Sequence, residues 1–280
     1  MASFPLGDGG GNRTNEGVLA PALILIGVLA AWEAFTYLSR IEPYVLPSPY
    51  LIARTIVAEW PTLVSNFEVT LIEMLLGFTL AFVVAMALGI LIAHSTTFRR
   101  GLYPLVIASQ TVPVIAIAPV LVIWFGYNII PKVLVTALIA FFPLTVTTVT
   151  GFRAIESDAV HLFRSMNATR TQIFFKLSVP TALPYIFAGL KVSATLCVIG
   201  ATVGEWIGAD RGLGHLIMLD TAQFDTPRVF ASIVLLSGSG VALFLLIALI
   251  ERIALPWKRS ERAPDYLSIL RRRRLVRPRK

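Results

Sequence analysis

The stretch that decides the fold is AIESDAVHLFRSMNATRTQIFFKLSVPTALPYIFAGLK, which runs from Ala154 to Lys191. It is a polar insert whose composition suits two short helices, and apolar segments lie on either side of it. A membrane protein rarely keeps a polar, helix-forming insert of this length unless a soluble protein contacts it. The stretch therefore predicts a docking segment carried between membrane-spanning helices.

The rest of the chain is apolar. Of its 280 residues 56% are hydrophobic and only 14% are charged, with a mean hydropathy of +0.77, which excludes an ordinary soluble domain. Six segments are long enough to cross a hydrocarbon layer about 30 Å thick. They are roughly 17–38, 70–94, 102–126, 130–151, 184–204 and 229–251. We therefore predict an all-α integral membrane protein with six transmembrane helices and a helix-loop-helix insert.

Lys and Arg outside these spans set the expected orientation. With the N-terminus inside, 18 of them lie on the cytoplasmic side and five on the other, where Lys132, near the start of the fourth span, is counted with the outer loop. Both termini and the insert are therefore predicted to be cytoplasmic. Residues 1–16 are predicted to form a flexible tail. Residues 17–257 are predicted to form the transmembrane domain, with the insert at about 154–183, and residues 258–280 a basic tail. The net charge of +8 is concentrated in that last tail, next to a span, so membrane lipid and not nucleic acid is its expected partner.

Small residues and prolines indicate how the spans are expected to pack and where a substrate path is expected. Gly77, Ala81, Ala85 and Gly89 recur every four residues, which predicts a helix face that lets a neighbouring backbone approach closely. The third and fourth spans contain Pro104, Pro113, Pro119 and Pro143, which favour kinked helices around a substrate path. Lys191 is expected to extend its ammonium group to the cytoplasmic surface. Glu205, at an outer helix end, is expected either to gate or dock, or simply to be solvated.

Catalytic signatures are absent from the sequence. It contains no G-x-x-x-x-G-K-[ST], no H-E-x-x-H and no G-x-S-x-G, and its three histidines are scattered over different loops. The single cysteine, Cys197, excludes a disulfide framework or zinc cluster within one chain and is expected to be a packing residue. No catalytic or metal residue is predicted, and the chain is interpreted as a conduit whose energy comes from another protein.

The insert divides into two helical pieces, about 157–166 and 169–179, joined at Asn167-Ala168. Ser157 is the expected N-cap of the first and Thr169 of the second, with no full capping box at either. Pro180 and Pro184 are expected to end the second piece and begin the next span.

This insert resembles the EAA loop of bacterial ABC importer permeases. Asp158-Ala159 stand at the opening of that pattern, Asn167-Ala168 at its centre and Val179-Pro180 at its close. Asn167 replaces the usual glycine, and Asn tolerates a left-handed backbone better than most residues. The resemblance extends over about residues 20–257 and is closest to permeases of the nitrate, sulfonate and taurine type. The stretches that carry it are 130–153, 182–217 and 248–257.

The resemblance implies a type I ABC importer permease fold in the bacterial inner membrane. It implies a homodimer, a cytoplasmic ABC ATPase dimer that carries ATP and Mg, and an extracytoplasmic solute-binding protein. This chain would itself be no enzyme and hold no cofactor. The residues implied in coupling to the ATPase are Asp158, Ala159, Arg164, Asn167, Ala168, Arg170, Thr171 and Pro180.

The substrate path is predicted from polarity and depth alone. Its candidates are Gln110, Thr111, Trp124, Ser193, Thr195 and Glu205; for Gln110 and Thr111 the alternative is hydrogen bonding between helices. The 224–236 and 204–209 stretches resemble the branch that carries thiamine precursors, riboflavin or pyrimidines. The expected cargo is therefore a heterocycle, with sulfonate, taurine or nitrate as the alternative.

Three other classes compete with this interpretation. A stand-alone secondary carrier is expected to show inverted repeats, and no half-to-half similarity is visible. An enzyme-anchoring subunit would explain the insert but not the prolines and small residues of spans three to five. An energy-coupling vitamin importer component would carry paired Ala-Arg-Gly signatures, which the sequence lacks.

Overall fold

The computed structural model describes residues 13–257, with side chains from residue 22 onward. The predicted basic tail at 258–280 and most of the predicted tail at 1–16 lie outside the described residues. The described residues form α-helices joined by short turns, with one π-helical turn, Phe174–Ser178. The helices are α1 (Arg13–Leu38), α2 (Pro49–Ala58), α3 (Trp60–His94), α4 (Thr96–Ser109), α5 (Val114–Phe125), α6 (Ile129–Arg153), α7 (Ser157–Ser165), α8 (Arg170–Ile173), α9 (Val179–Gly208), α10 (Leu213–Ala222) and α11 (Thr226–Ala254).

Four continuous helical stretches among the described residues are long and apolar enough to cross a bilayer: Trp60–His94, Ile129–Arg153, Arg170–Gly208 and Thr226–Ala254. The bent pair α4 and α5 makes a fifth if the two helices are taken as one span. The described apolar part of α1, Ala22–Leu38, is shorter. The all-helical membrane class is confirmed, and the number of six transmembrane helices stays a prediction.

The third predicted span, 102–126, was wrong as a single helix. α4 ends at Ser109 and α5 begins at Val114, and their axes differ by 97°. The three residues after Ser109 form tight turns, since their N–H groups reach only three residues back. Pro113 offers no N–H and disfavours a helical residue before it, so the helix breaks there instead of bending.

The second predicted span begins ten residues earlier than expected, at Trp60. Pro61 does not prevent this, because the first turn of a helix has no use for the missing N–H. At about 1.5 Å per residue the 35 residues of α3 extend well beyond a hydrocarbon layer about 30 Å thick.

The chain divides into two compact units. Among the described residues, one comprises 13–65 and 216–234. Within it the backbone N–H of Tyr50 donates to the Glu33 carboxylate at 2.9 Å, and Arg228 pairs with Asp220 at 2.8 Å. The short helix α2 begins at Pro49, with Ser48 as its N-cap residue.

The other unit comprises residues 66–215 and 235–257 and contains the polar insert. At its centre α6 and α9 pack closely. A Cβ at Gly200 of α9 would lie only 2.6 Å from the Cα atom of Thr136, and one at Gly204 only 2.9 Å from the Cα atom of Lys132. Cys197 of α9 is fully buried in the apolar core, as expected for a packing residue.

The predicted small-residue face of α3 is confirmed as a packing surface. Ala81 and Ala85 are buried, and Gly77 and Gly89 lie against Thr136 and Thr148 of α6 with no room for a side chain. Backbones approach closely where these small residues lie, which fixes α3 on α6.

Candidate functional site

The first helix of the insert, α7, begins at Ser157 with Glu156 as its N-cap residue. Glu156 makes no side-chain capping hydrogen bond, so the expectation that Ser157 caps the helix was wrong by one residue. Asp158 lies in the first turn, where a negative charge interacts favourably with the helix dipole.

The turn after α7 is closed by Asn167 in the left-handed region, with φ of +57°. The N–H of Ala168 donates to the carbonyl of Phe163 and the N–H of Asn167 to that of Arg164, both at 3.0 Å. This pair of bonds is the Schellman motif, in which a left-handed residue satisfies the last carbonyls of a helix. The prediction that Asn167 serves the turn in place of glycine is confirmed.

The second helix begins at Arg170 with Thr169 as its N-cap. Thr169 Oγ1 accepts the N–H of Gln172 at 3.3 Å, and Gln172 Oε1 accepts the N–H of Thr169 at 2.8 Å. The two bonds form a full capping box, which the sequence analysis did not expect. The signal was present in the sequence as Thr-x-x-Gln.

The second helix does not end at Pro180 and Pro184, which corrects the expected exit of the insert. Residues Phe174–Ser178 form a π-helical turn, in which the N–H of Val179 donates to the carbonyl of Phe174, five residues back. α9 follows directly, with Pro180 in its first turn and Pro184 in its interior. Because the widened turn precedes Pro180, the helix continues past a residue that has no N–H.

A cavity of about 940 Å³ lies between the insert and the ends of α3 and α6. Four predicted coupling residues line it: Arg164, Ala168, Arg170 and Thr171. Three aromatic rings also line it, those of His94 on α3, Phe152 on α6 and Phe174 of the insert, with centroids 5.5–5.9 Å apart. Phe174 thus packs the insert against the ends of α3 and α6.

The remaining coupling candidates are distributed along the insert. Asp158 and Asn167 are exposed, while Ala159 and Pro180 are half-buried. Arg164 and Arg170 are also exposed, and neither takes part in the ion pairs found within residues 22–257. Their role in coupling stays a prediction.

The six predicted path residues are not brought together. Gln110 and Thr111 lie at the break between α4 and α5, and both are exposed, as are Trp124 and Thr195. Ser193 is fully buried, and its hydroxyl donates to the carbonyl of Ala140 on α6 at 2.7 Å. Glu205 lies in a separate buried cluster. The path assignment stays a prediction.

Sequence reasoning missed the cluster around Glu205, which is fully buried and not solvated. Glu73 of α3 lies beside it and pairs with Lys132 of α6, with Nζ and Oε1 3.1 Å apart. Lys132 had been counted as a loop residue but lies in the first turns of α6. The signal that could have found the cluster is the presence of charged residues inside apolar spans, since such charges need partners.

Glu205 also holds the turn that follows α9 through hydrogen bonds. Its carboxylate accepts the hydroxyl of Thr70 at 2.6 Å and the N–H of Gly214. Thr70 in turn accepts the N–H of Leu213 at 2.8 Å. Gly212, with φ of +121°, leaves no room for a Cβ, because the Glu205 carboxylate occupies that space.

Lys191 is also paired, which corrects its expected extension to the membrane surface. Its Nζ lies 2.7 Å from Glu251 Oε2 of α11. Both side chains are largely shielded from solvent, with exposed fractions of 23% and 11%. The pair joins α9 and α11 by a charge-assisted hydrogen bond.

The chain is similar to known proteins in both sequence and fold. The family model for binding-protein-dependent transport system inner membrane components matches residues 77–254. The fold is similar to one chain of the inward-facing MetNI methionine ABC transporter, with a TM-score of 0.56 over 71% of this chain and 97% of that one, at 20% identity.

Three curated relatives have similar lengths. The formylaminopyrimidine transport permease of Halalkalibacterium halodurans is 41% identical over 87% of this chain and 97% of its own. The riboflavin transport system permease of Chloroflexus aurantiacus is 36% identical over 84% and 89%. A permease of Bacillus subtilis described as a putative aliphatic sulfonates transport protein is 31% identical over 88% of each. The chain belongs to the family of binding-protein-dependent transport system inner membrane components, and it is an integral inner-membrane permease subunit of the ABC importer type.

Proposed function

We propose that this chain forms the translocation path of an ATP-driven importer and couples to a separate ABC ATPase through its polar insert. The observation that carries the proposal is the helical hairpin of α7 and α8. Its Schellman turn presents Arg164 and Arg170 without ion-pair partners among the described residues. A short, exposed and capped hairpin is suited to a groove in another protein.

The proposed assembly contains two copies of this chain, a cytoplasmic ATPase dimer and an extracytoplasmic solute-binding protein. ATP and Mg bind to the ATPase, and the permease holds no cofactor and performs no hydrolysis. The insert and both termini face the cytoplasm. The widened turn at 174–178 joins the insert to α9 in one continuous helical stretch, so a displacement of the hairpin reaches the span directly.

The proposed cargo is a small heterocycle of the thiamine-precursor, riboflavin or pyrimidine class. The printed names of the relatives from Halalkalibacterium halodurans and Chloroflexus aurantiacus support this class. The lysines of α6 and α9, Lys132 and Lys191, are both paired with glutamates. A permanent anion would therefore find no unpaired lysine on α6 or α9.

Sulfonate, taurine or nitrate import is the second candidate, supported by the Bacillus subtilis relative. The test is ATP hydrolysis in liposomes that contain this chain, its ATPase and its binding protein. Formylaminopyrimidine, riboflavin and pyrimidines are compared with taurine and nitrate. Stimulation by a heterocycle supports the proposal, and stimulation by taurine or nitrate alone selects the second candidate. If the ATPase does not co-purify and nothing stimulates hydrolysis, a stand-alone carrier becomes the better interpretation.

Coupling through the insert has its own test. Ala168→Glu places a bulky charge at the closed turn and is expected to abolish cargo-stimulated hydrolysis while the chain still inserts into the membrane. Ala58→Glu, on the exposed side of α2, is the matched control and is expected to retain stimulation. Equal loss in both variants would indicate a general effect of the charge and contradict a coupling role for the turn.

A further inference from the structure

The cluster of Glu73, Lys132 and Glu205 contains two carboxyl groups and one ammonium group. The three residues are only 1%, 9% and 0% exposed. If both carboxyl groups were ionised, the cluster would carry one negative charge that no described side chain balances. An unbalanced charge in a site without water is strongly disfavoured. The cluster is therefore one positive charge short of neutrality.

The hydrogen bonds of the cluster show where a donor is missing. Glu205 accepts two donors, the hydroxyl of Thr70 and the N–H of Gly214. Glu73 Oε1 contacts Lys132 Nζ, but Glu73 Oε2 is buried and meets no N–H or O–H donor among the described residues. Thr70 lies one turn before Glu73 on α3, and its hydroxyl lies 2.6 Å from Glu205 Oε1, so the two carboxyl groups are neighbours. Two neighbouring ionised carboxylates repel one another, and neither has a hydrogen to donate to the other.

We propose that this cluster is a proton-binding site, in which the carboxyl groups of Glu73 and Glu205 share one proton. Lys132, which contacts Glu73, then balances the remaining negative charge, and the cluster is neutral. The proposal rests on the geometry of these side chains and does not depend on the cargo or on the coupling to ATP.

The bound proton has a structural consequence for the turn at 209–214. That turn is held to α3 by Gly214 through Glu205 and by Leu213 through Thr70. Loss of the proton brings two negative carboxylates together at this point, which weakens the attachment. The site thus makes the closure of the turn dependent on pH.

Few other titratable groups surround the cluster. On α3 the nearest in sequence is Glu68, which is exposed. In the turn, Asp210 and Arg211 are also exposed. His215 of α10 follows Gly214 and has a buried Nδ1 with no hydrogen-bond partner among the described residues. His215 is therefore the group to separate from Glu73 in any measurement of pH dependence.

The direction of the pH effect follows from counting protons. At neutral pH an unfolded chain has an ionised Glu73, whereas the folded protein holds the proton. The folded state therefore binds one proton more, and stability falls as the pH rises through the range in which that proton is lost. Gln at position 73 imitates the protonated carboxyl, with an amide group that donates to Glu205 and a carbonyl that accepts from Lys132.

The experiment is infrared spectroscopy of the full chain in lipid nanodiscs, which detects the carbonyl stretch of a protonated carboxyl group. ¹³C-labelled glutamate separates this band from aspartates such as Asp220, whose pKa is raised by burial. We expect one protonated glutamate band at neutral pH that Glu73→Gln removes and Glu68→Gln keeps. No such band in the wild type at neutral pH, or a band unchanged by Glu73→Gln, would overturn the proposal.

If Glu73→Gln does not fold, the wild type alone decides the question. Its protonated glutamate band must disappear on titration to alkaline pH together with a loss of thermal stability. A band that is absent at neutral pH again overturns the proposal. Where Glu73→Gln does fold, the free energy of unfolding is expected to depend on pH less steeply than in the wild type, by the uptake of one proton. The His215→Gln variant is expected to keep the wild-type dependence. The reverse result would assign the pH effect to His215 and overturn the role of Glu73.

Discussion

The polar insert and the buried charge cluster use charged residues in opposite ways. Arg164 and Arg170 of the insert are exposed and have no ion-pair partner among the described residues. Glu73, Lys132 and Glu205 are buried, and Glu73 is paired with Lys132. An exposed charge is solvated and contributes little to stability, whereas a buried charge that loses its partner is costly. The comparison separates exposed charges, which we propose contact another protein, from buried charges that stabilise this one.

The largest expected effect comes from removing one positive charge in each region. Lys132→Met leaves the carboxyl groups of Glu73 and Glu205 without their cation, and breaking a buried pair in this way costs about 3–5 kcal/mol. Arg164→Met removes an exposed charge and is expected to leave thermal stability unchanged while it weakens cargo-stimulated ATP hydrolysis. Thermal unfolding in nanodiscs and the hydrolysis assay measure the two effects. Equal losses of stability would contradict the division into docking and structural charges.

A second large effect is expected where the cluster meets the turn after α9. Gly212→Ala introduces a Cβ at φ of +121° into the space of the Glu205 carboxylate, at a cost of about 3 kcal/mol from backbone strain and overpacking. Gly101→Ala is the matched control, because a Cβ there meets nothing within 4 Å. In the helix α4 it is expected to gain about 0.5–1 kcal/mol. A tolerated Gly212→Ala would show that the turn is not held against Glu205.

The two regions also differ in how much the sequence reveals about them. Asn167 could be assigned to a left-handed turn because its backbone preference is local, and Thr169 could be placed at a helix start for the same reason. The pairing of Glu73 with Lys132, and the contact of Glu73 with Glu205, depend on how three distant helices pack. No spacing in the chain encodes that contact, so Glu205 could not be told from a solvated or gating residue.

The prolines also show what the sequence alone cannot predict. Pro104, Pro113, Pro119 and Pro143 all predict a disturbed helix, but the helix breaks only at Pro113. The others lie inside continuous helices. Pro180 and Pro184 were expected to end a helix and do not, because a π-helical turn precedes them. A proline removes one hydrogen bond wherever it occurs, and the surrounding packing decides whether the helix stops.

A smaller effect is expected at the turn of the insert, where the backbone and not a charge is under test. Asn167→Ala places a residue with little tolerance for φ of +57° in the left-handed region, at a cost of about 1–2 kcal/mol. Asn167→Gly is expected to be neutral, since glycine adopts this conformation freely. Hydrogen exchange of the amides of α7 is the measurement, because the opening is local. Equal exchange in both variants would argue against a strained turn.

The smallest effect is expected at the capping box, and it tests whether the insert is ordered before any partner binds. Thr169→Ala removes the acceptor of the Gln172 N–H and is expected to cost about 0.5–1 kcal/mol, confined to α8 and the adjoining π-helical turn. Thr169→Ser keeps a hydroxyl and is expected to restore the protection of the α8 amides against hydrogen exchange. Because the rest of the unit packs independently of this cap, global thermal unfolding should not change. If Thr169→Ala leaves α8 as protected as the wild type, the cap does not hold the hairpin in place, and its order must come from the cavity wall of His94, Phe152 and Phe174 instead.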